Sequence, residues 1–216
     1  MEEEEEEFRR CTYTTLACPH CGDTKQILDV ICLVPFYEEF WSDLYRIAPS
    51  MPEIFPVQKC NHCGKYYFIK EEQHLVADMH ADVDVLNYQE LKEAVKELSG
   101  SEQSAWETYM LNRSLIQAYN SEFMRGNSDK TPSEEDRQQF LTAVEKVVNL
   151  PDDQCLRGFK GELLRETGRF DEAVEVLRNL PDDDAPEYYV RPILERALNR
   201  DSRPLLIMKD DAPLYG

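Results

Sequence analysis

Two short segments of this chain carry residue types that can do chemistry: Cys18-Pro19-His20-Cys21 and Cys60-Asn61-His62-Cys63, each followed by a glycine, Gly22 and Gly64. Two thiolates that close in sequence can grip one tetrahedral ion from a tight turn, and a second pair completes a closed shell of four sulfurs. The glycine after each pair can take positive φ without a Cβ clash, which lets backbone N–H groups turn back toward the sulfurs. A single CxxC would serve equally as a redox dithiol. Two segments of the same CxHCG form point instead to one zinc ion held by Cys18, Cys21, Cys60 and Cys63, with a thiol–disulfide oxidoreductase using either pair as the alternative. His20 and His62 sit inside the turns, flanked by better placed cysteines, and read as solvent-facing residues. Cys11, Cys32 and Cys155 lack partners at ligand spacing and read as buried free thiols. His74 and His80 do not share a helix face and receive no chemistry.

The knuckles need rigid flanks, and the sequence supplies strand-like ones. Phe8 to Leu16 reads as a strand entering the first knuckle, and Lys25 to Leu33, with Ile27, Val30 and Ile31, as the strand leaving it. Ile54 to Val57 leads into the second knuckle, and Tyr66-Tyr67-Phe68-Ile69 returns from it, aromatic and β-branched as strands prefer. Together these segments resemble the zinc ribbon family, in which two β-hairpin knuckles clamp one zinc ion; the four cysteines match its ligand positions. The spacing departs from that family, because Cys21 and Cys60 are far more than the usual spacer of about 15 to 20 residues apart. Something is inserted between the knuckles. Phe36, Phe40, Leu44 and Ile47 recur at helical spacing, so the insertion is expected to be a short amphipathic helix. A loop at Pro49-Ser50-Met51-Pro52 follows it.

Beyond Glu71 the pattern turns helical, after a loosely defined bridge from Glu72 to Val85. Leu86 to Leu98 gives a helix stopped by Gly100, and a second, carrying Trp106, Met110, Ile116, Tyr119 and Phe123, runs from near Ser101 to Gly126. Thr131-Pro132-Ser133-Glu134 reads as a capping box with proline in the first helical position, opening a helix with Phe140, Ala143, Val144 and Val147. Residues 140–153 (FLTAVEKVVNLPDD) recur as 170–183 (FDEAVEVLRNLPDD), nine of fourteen positions being identical. Such self-similarity marks stacked units that bury their apolar faces against neighbours. The second copy resembles the tetratricopeptide family in Gly161, Leu164, Gly168, Phe170, Ala173 and Leu177, with GRFDEA (168–173) its most recognisable phrase. The offset of 30 is shorter than that family's 34, and Leu180 stands where a small residue is common. The resemblance implies a two-helix repeat scaffold that binds a protein or peptide in its groove. A helix from Pro186 to Leu198 caps it, and Arg203 to Met208 is expected to pack back, leaving Lys209 to Gly216 as a free end.

The 216 residues are therefore expected to form an α+β protein: an acidic tail (1–7), a small β zinc-ribbon-like module with a helical insertion (8–75), and an all-α helical repeat domain (86–208). Net charge is −19. It is close to neutral over the module, while the tail and the helical half are strongly acidic, which disfavours nucleic acid because phosphate binding needs clustered Lys and Arg. A nucleic-acid-binding ribbon is thus the least favoured reading. The seven cysteines, an odd number, suit a reducing compartment. Six glutamates after Met1 are the opposite of a basic leader, and no apolar run approaches a membrane span, so a cytoplasmic location is expected. No phosphate-cradling glycine loop, nucleophile elbow or HExxH helix is present. The expected role is a non-enzymatic interaction protein with a structural zinc.

Overall fold

The computed structural model describes residues 12–29, 39–47, 56–69, 86–100, 102–125, 129–151, 154–181 and 186–209. It is a mixed α+β protein, with small antiparallel sheets in its N-terminal half and helices in the rest. Strands β1 (Thr12–Ala17) and β2 (Thr24–Asp29) form one hairpin, and β5 (Val57–Lys59) with β6 (Tyr66–Phe68) forms another. Between them in the chain lie β3 (Glu39–Trp41) and β4 (Arg46–Ile47), an antiparallel pair.

Six α-helices follow among the described residues: α1 (Tyr88–Leu98), α2 (Ala105–Tyr119), α3 (Glu134–Val148), α4 (Gln154–Glu166), α5 (Phe170–Arg178) and α6 (Glu187–Leu198). The starts of α1, α2 and α3 are fixed by reciprocal capping boxes, Asn87 with Glu90, Ser104 with Glu107 and Ser133 with Asp136, which satisfy amide donors a helix start leaves unpaired. Helix α2 runs directly into a π-helical turn, Asn120–Met124. Gly168 ends α4 at φ +79°, and Phe170 begins α5 two residues later. This chain reversal brings Leu164 beside Ala173 and Gly161 against Leu177, an antiparallel contact. A Cβ on Gly161 would stand 2.7 Å from the Leu177 side chain, so glycine is what lets the two helices approach.

The main core joins both halves. Val57 and Tyr66 of the second hairpin are buried with Leu91 and Ala94 of α1, Leu111 and Leu115 of α2, Val144 of α3 and Leu163 of α4. A second cluster gathers Leu177, Tyr189 and Ile193 under Phe40, Leu44 and Ile207. Ala143 of α3 and Ala173 of α5, equivalent positions of the sequence self-similarity, are both fully buried.

Several expectations are corrected. The insertion is not helical over residues 39–47: it is a β-hairpin whose turn places Leu44 at φ +63°. Tertiary pairing overrides the local spacing, because β7 (Leu206–Lys209) adds to β3 as an antiparallel neighbour, giving the order β4-β3-β7. Phe40 and Leu44 nevertheless reach one cluster, since the turn folds the chain back. Lys209, expected to open a free end, is the last residue of β7. The segment 203–208 does pack back, but its last three residues do so as an added strand rather than as loose apolar chain. The third helix starts two residues later than the capping motif suggested, with Ser133 as cap and Asp136 as its partner, leaving Pro132 ahead of the helix. The acidic tail, Phe36, Pro49–Pro52, the bridge Glu72–Val85 with His74 and His80, and Gly126 lie outside the described residues, as do Cys11, Cys32 and the side chain of Cys155.

Candidate metal centre

The two knuckles are built alike. In the first, the Cys18 N–H donates to the Asp23 carbonyl (2.8 Å) and the Gly22 N–H to the Cys18 carbonyl (2.9 Å). In the second, Cys60 N–H donates to Lys65 (2.9 Å) and Gly64 N–H to Cys60 (2.8 Å). Gly22 and Gly64 sit at φ +75° and +72°, with nothing within 4 Å of a notional Cβ, so glycine is required there by conformation rather than by space. The strand pairs Ala17–Thr24 and Lys59–Tyr66 close each loop from below.

This construction brings Cys18, Cys21, Cys60 and Cys63 together, all four sulfurs lying within 4.8 Å of one another. The close pairs run between knuckles: Cys18 Sγ to Cys63 Sγ is 3.8 Å and Cys21 Sγ to Cys60 Sγ is 3.6 Å. Sulfurs about 2.3 Å from a central zinc define a tetrahedron with edges of about 3.8 Å, so the donor set fits an ion of that size and preference. Cys18 and Cys60 are buried against Tyr67, whereas Cys21 and Cys63 face outward. The amide of Cys63, 3.5 Å from Cys60 Sγ, and that of His62 hold the Cys60 thiol down to about 6. At Cys21 the Asp23 amide also favours the thiolate, but desolvation and the three neighbouring thiols outweigh it and push that group up to about 12. Cys60 ionises easily while Cys21 and Cys63 resist, as expected where several thiolates crowd together and a cation would be needed to collect them.

Neither histidine joins the sulfur cluster. His20 is exposed, and its Nε2 lies 3.1 Å from the Tyr66 carbonyl, a contact in which the ring nitrogen donates and ties the first knuckle to the second hairpin. His62 is exposed at its turn.

A second concentration of polar groups is buried where the insertion turn, the π-helical turn, α4 and the C-terminal loop meet. Asp43, fully buried, accepts from Asn120 Nδ2 (2.9 Å) and is ion-paired with Arg125. Asn120 also donates to Glu166 Oε2 (3.0 Å), and Gln117 Nε2 donates to the Asp43 carbonyl (3.0 Å). The Arg125 guanidinium lies 4.0 Å from the Tyr45 ring centre and 5.4 Å from that of Trp41. Next to it, Arg165 makes a two-pronged ion pair with Glu162 (2.6 and 2.7 Å), both side chains fully buried. Tyr189 of α6 donates to the Ser42 carbonyl (2.7 Å). None of these residues is a candidate site in the sequence, where Glu162, Arg165 and Glu166 look like a solvated helix face; only the flanking Gly161, Leu163 and Leu164 hint that this turn of α4 is enclosed.

Comparison of the chain with protein-family models, with curated proteins and with solved structures gives no match in any of the three. Among the described residues, no helix is long and apolar enough to cross a membrane.

Proposed function

We propose that this chain is a non-enzymatic interaction protein in which a structural zinc ion, held by Cys18, Cys21, Cys60 and Cys63, braces a tetratricopeptide-like stack of helices whose surface binds another protein. The observation that carries the reading is the convergence of four sulfurs from two matched knuckles. Four thiolates fill a tetrahedral shell and leave no position for water or substrate, as a hydrolytic zinc requires. The helical hairpin of α4 and α5, with Gly161 and Ala173 at its close contact, supports the repeat reading. The acidic surface and neutral zinc module favour a protein partner over a nucleic acid.

Zinc content and thiol chemistry test the first half together. One zinc per chain, with no catalysis of disulfide reduction in a protein substrate such as insulin, is the expected result. A metal-free chain that cycles between dithiol and disulfide would make it an oxidoreductase instead. For the second half, quantitative cross-linking in native lysate should recover a partner with the wild type and lose it with a variant altered on the outer faces of α3 and α5. Recovery of nucleic acid in place of a protein would overturn the partner class.

A further inference from the structure

The buried junction gathers three carboxyl groups, Asp43, Glu162 and Glu166, with two guanidinium groups, Arg125 and Arg165, all five side chains being at least nine-tenths buried. The Arg113 guanidinium reaches the Leu44 carbonyl of the same insertion turn (3.4 Å). Two of the carboxyls are matched: Asp43 pairs with Arg125, and Glu162 takes both prongs of Arg165. Glu166 is the remainder. Its Oε2 accepts one hydrogen bond, from the neutral amide of Asn120, while its Oε1 is buried without any partner. An ionised carboxylate in that position would leave a charged oxygen with no donor and a third negative charge next to Asp43, both costly away from water. A carboxylic acid leaves only a neutral group short of a hydrogen bond.

Glu162 and Arg165 stand on the same helix, Asp43 comes from the insertion turn, Arg125 follows the π-helical turn, Tyr189 comes from α6, and Asp201 in the C-terminal loop bonds Arg165 through its carbonyl. Tyr109 of α2 lies beyond Tyr189. Tyr189, itself held far above the ordinary phenol range by burial, stays neutral. Asp201 has its own cations, Arg196 and Arg203.

We propose that Glu166 is kept as a neutral carboxylic acid and that the junction is a proton-dependent latch, holding the insertion turn Trp41–Tyr45 on the helices while Glu166 is protonated and loosening when it ionises. Asn120 is the coupling element, since the same amide nitrogen bonds both Asp43 and Glu166. Burial first, then the charges of Glu162 and Asp43, raise the Glu166 acid well above the usual carboxylate range. The sign follows from linkage: in the window between the unfolded and folded values the folded chain binds the extra proton, so its contribution is complete below about 4.3 and is lost as pH rises through the folded value.

Thermal and denaturant unfolding of the full chain between about pH 5 and 9, wild type against Glu166→Gln, tests this. The amide is isosteric with the acid and does not titrate. Relative to the variant, the wild type should lose about tenfold in its folded-to-unfolded ratio per pH unit inside the window. Infrared spectroscopy of glutamate-labelled wild type should show a protonated carboxyl at neutral pH. The loss of that band on alkalinisation should coincide with faster hydrogen exchange at Trp41–Tyr45, corrected for intrinsic rate. Parallel pH profiles, or no protonated carboxyl at neutral pH, overturn the proposal. If Glu166→Gln does not fold, the wild-type band and exchange decide alone: both present supports the latch, either missing overturns it.

Discussion

The knuckle region and the α4–α5 hairpin are held by opposite means. Among the described residues, the buried cluster at the four sulfurs is Cys18, Cys60 and Tyr67, two of its three members being ligands. Between α4 and α5 the backbone is drawn close by Gly161, and Leu164, Ala173 and Leu177 fill the contact. One region depends on ligands, the other on packing, and the difference teaches where each can be broken without the other. The second hairpin complicates the division, because Val57 and Tyr66 belong to the main core. The first hairpin, β1 with β2, should therefore be more dependent on the ion than β5 with β6.

Removing a ligand should have the largest effect. Zinc binding is worth on the order of 10 to 16 kcal/mol in zinc-finger peptides, and much of that is folding free energy. Cys60→Ser should abolish stoichiometric zinc and strip hydrogen-exchange protection from β1 and β2. The α4–α5 hairpin should keep most of its own protection. If zinc stays stoichiometric and β1 and β2 remain protected, the knuckles do not share an ion; if α4 and α5 lose protection equally, the contrast between the two regions fails.

The junction beneath the insertion turn belongs to neither kind, being held by buried charge. Arg125→Met removes the partner of fully buried Asp43 and should cost about 3 to 5 kcal/mol, the range for orphaning a buried ion. Denaturant titration should show the lost stability, and Trp41 emission should report a displaced insertion, since the guanidinium now lies over that ring. A loss below about 1 kcal/mol would place the pair in the class of solvated ion pairs.

The packed contact should respond to volume. Ala173→Phe puts a ring where no space exists and should cost about 1 to 3 kcal/mol by overpacking. Gly161→Ala should act the same way more mildly, through Leu177. Melting temperature measures both, with zinc content unchanged as the control. An unaltered melting temperature for Ala173→Phe would mean that the α4–α5 contact is loose.

How far these regions were legible in the sequence follows from the range of the signals. The knuckles could be read because ligands and their turn glycines are local: CxHCG states both the donors and the positive φ they need. The α4–α5 hairpin could be read because Gly161, Gly168 and Ala173 fall where the resemblance to a two-helix repeat expects small residues, Gly168 at the turn and the other two at the helix contact. The insertion could not. Glu39 to Trp41 become a strand through pairing with Leu206 to Lys209 at the far end of the chain, and Phe40 and Leu44 mimic a helix because both reach the same cluster, one from the strand and the other from the turn that follows it. The buried charges were illegible for a related reason, since Asp43, Asn120 and Glu166 come from three separate elements and each is ordinary in its own.

The smallest effect tests how α1 is attached to α3, between the two regions compared. Asp136 closes the capping box at Ser133, and it also accepts from Tyr88 (3.1 Å) and pairs with Lys92 (2.6 Å) on α1. The Lys92 ammonium, then the Ser133 hydroxyl, hold this carboxyl well below the usual range. Its contribution is thus present above about pH 3.9 and lost as pH falls through the lower folded value. Ser133→Ala removes the cap hydroxyl but leaves Lys92 and Tyr88 in place, so it should cost about 0.5 to 2 kcal/mol at neutral pH. Lys92→Met removes the ammonium that lowers this carboxyl most and should move the acid limb of the stability curve toward higher pH. Acid titration of both variants by circular dichroism separates the two roles. If Lys92→Met leaves the acid limb where it was while Ser133→Ala moves it, Asp136 serves the helix end alone, and α1 is held to α3 by its apolar face rather than by this ion pair.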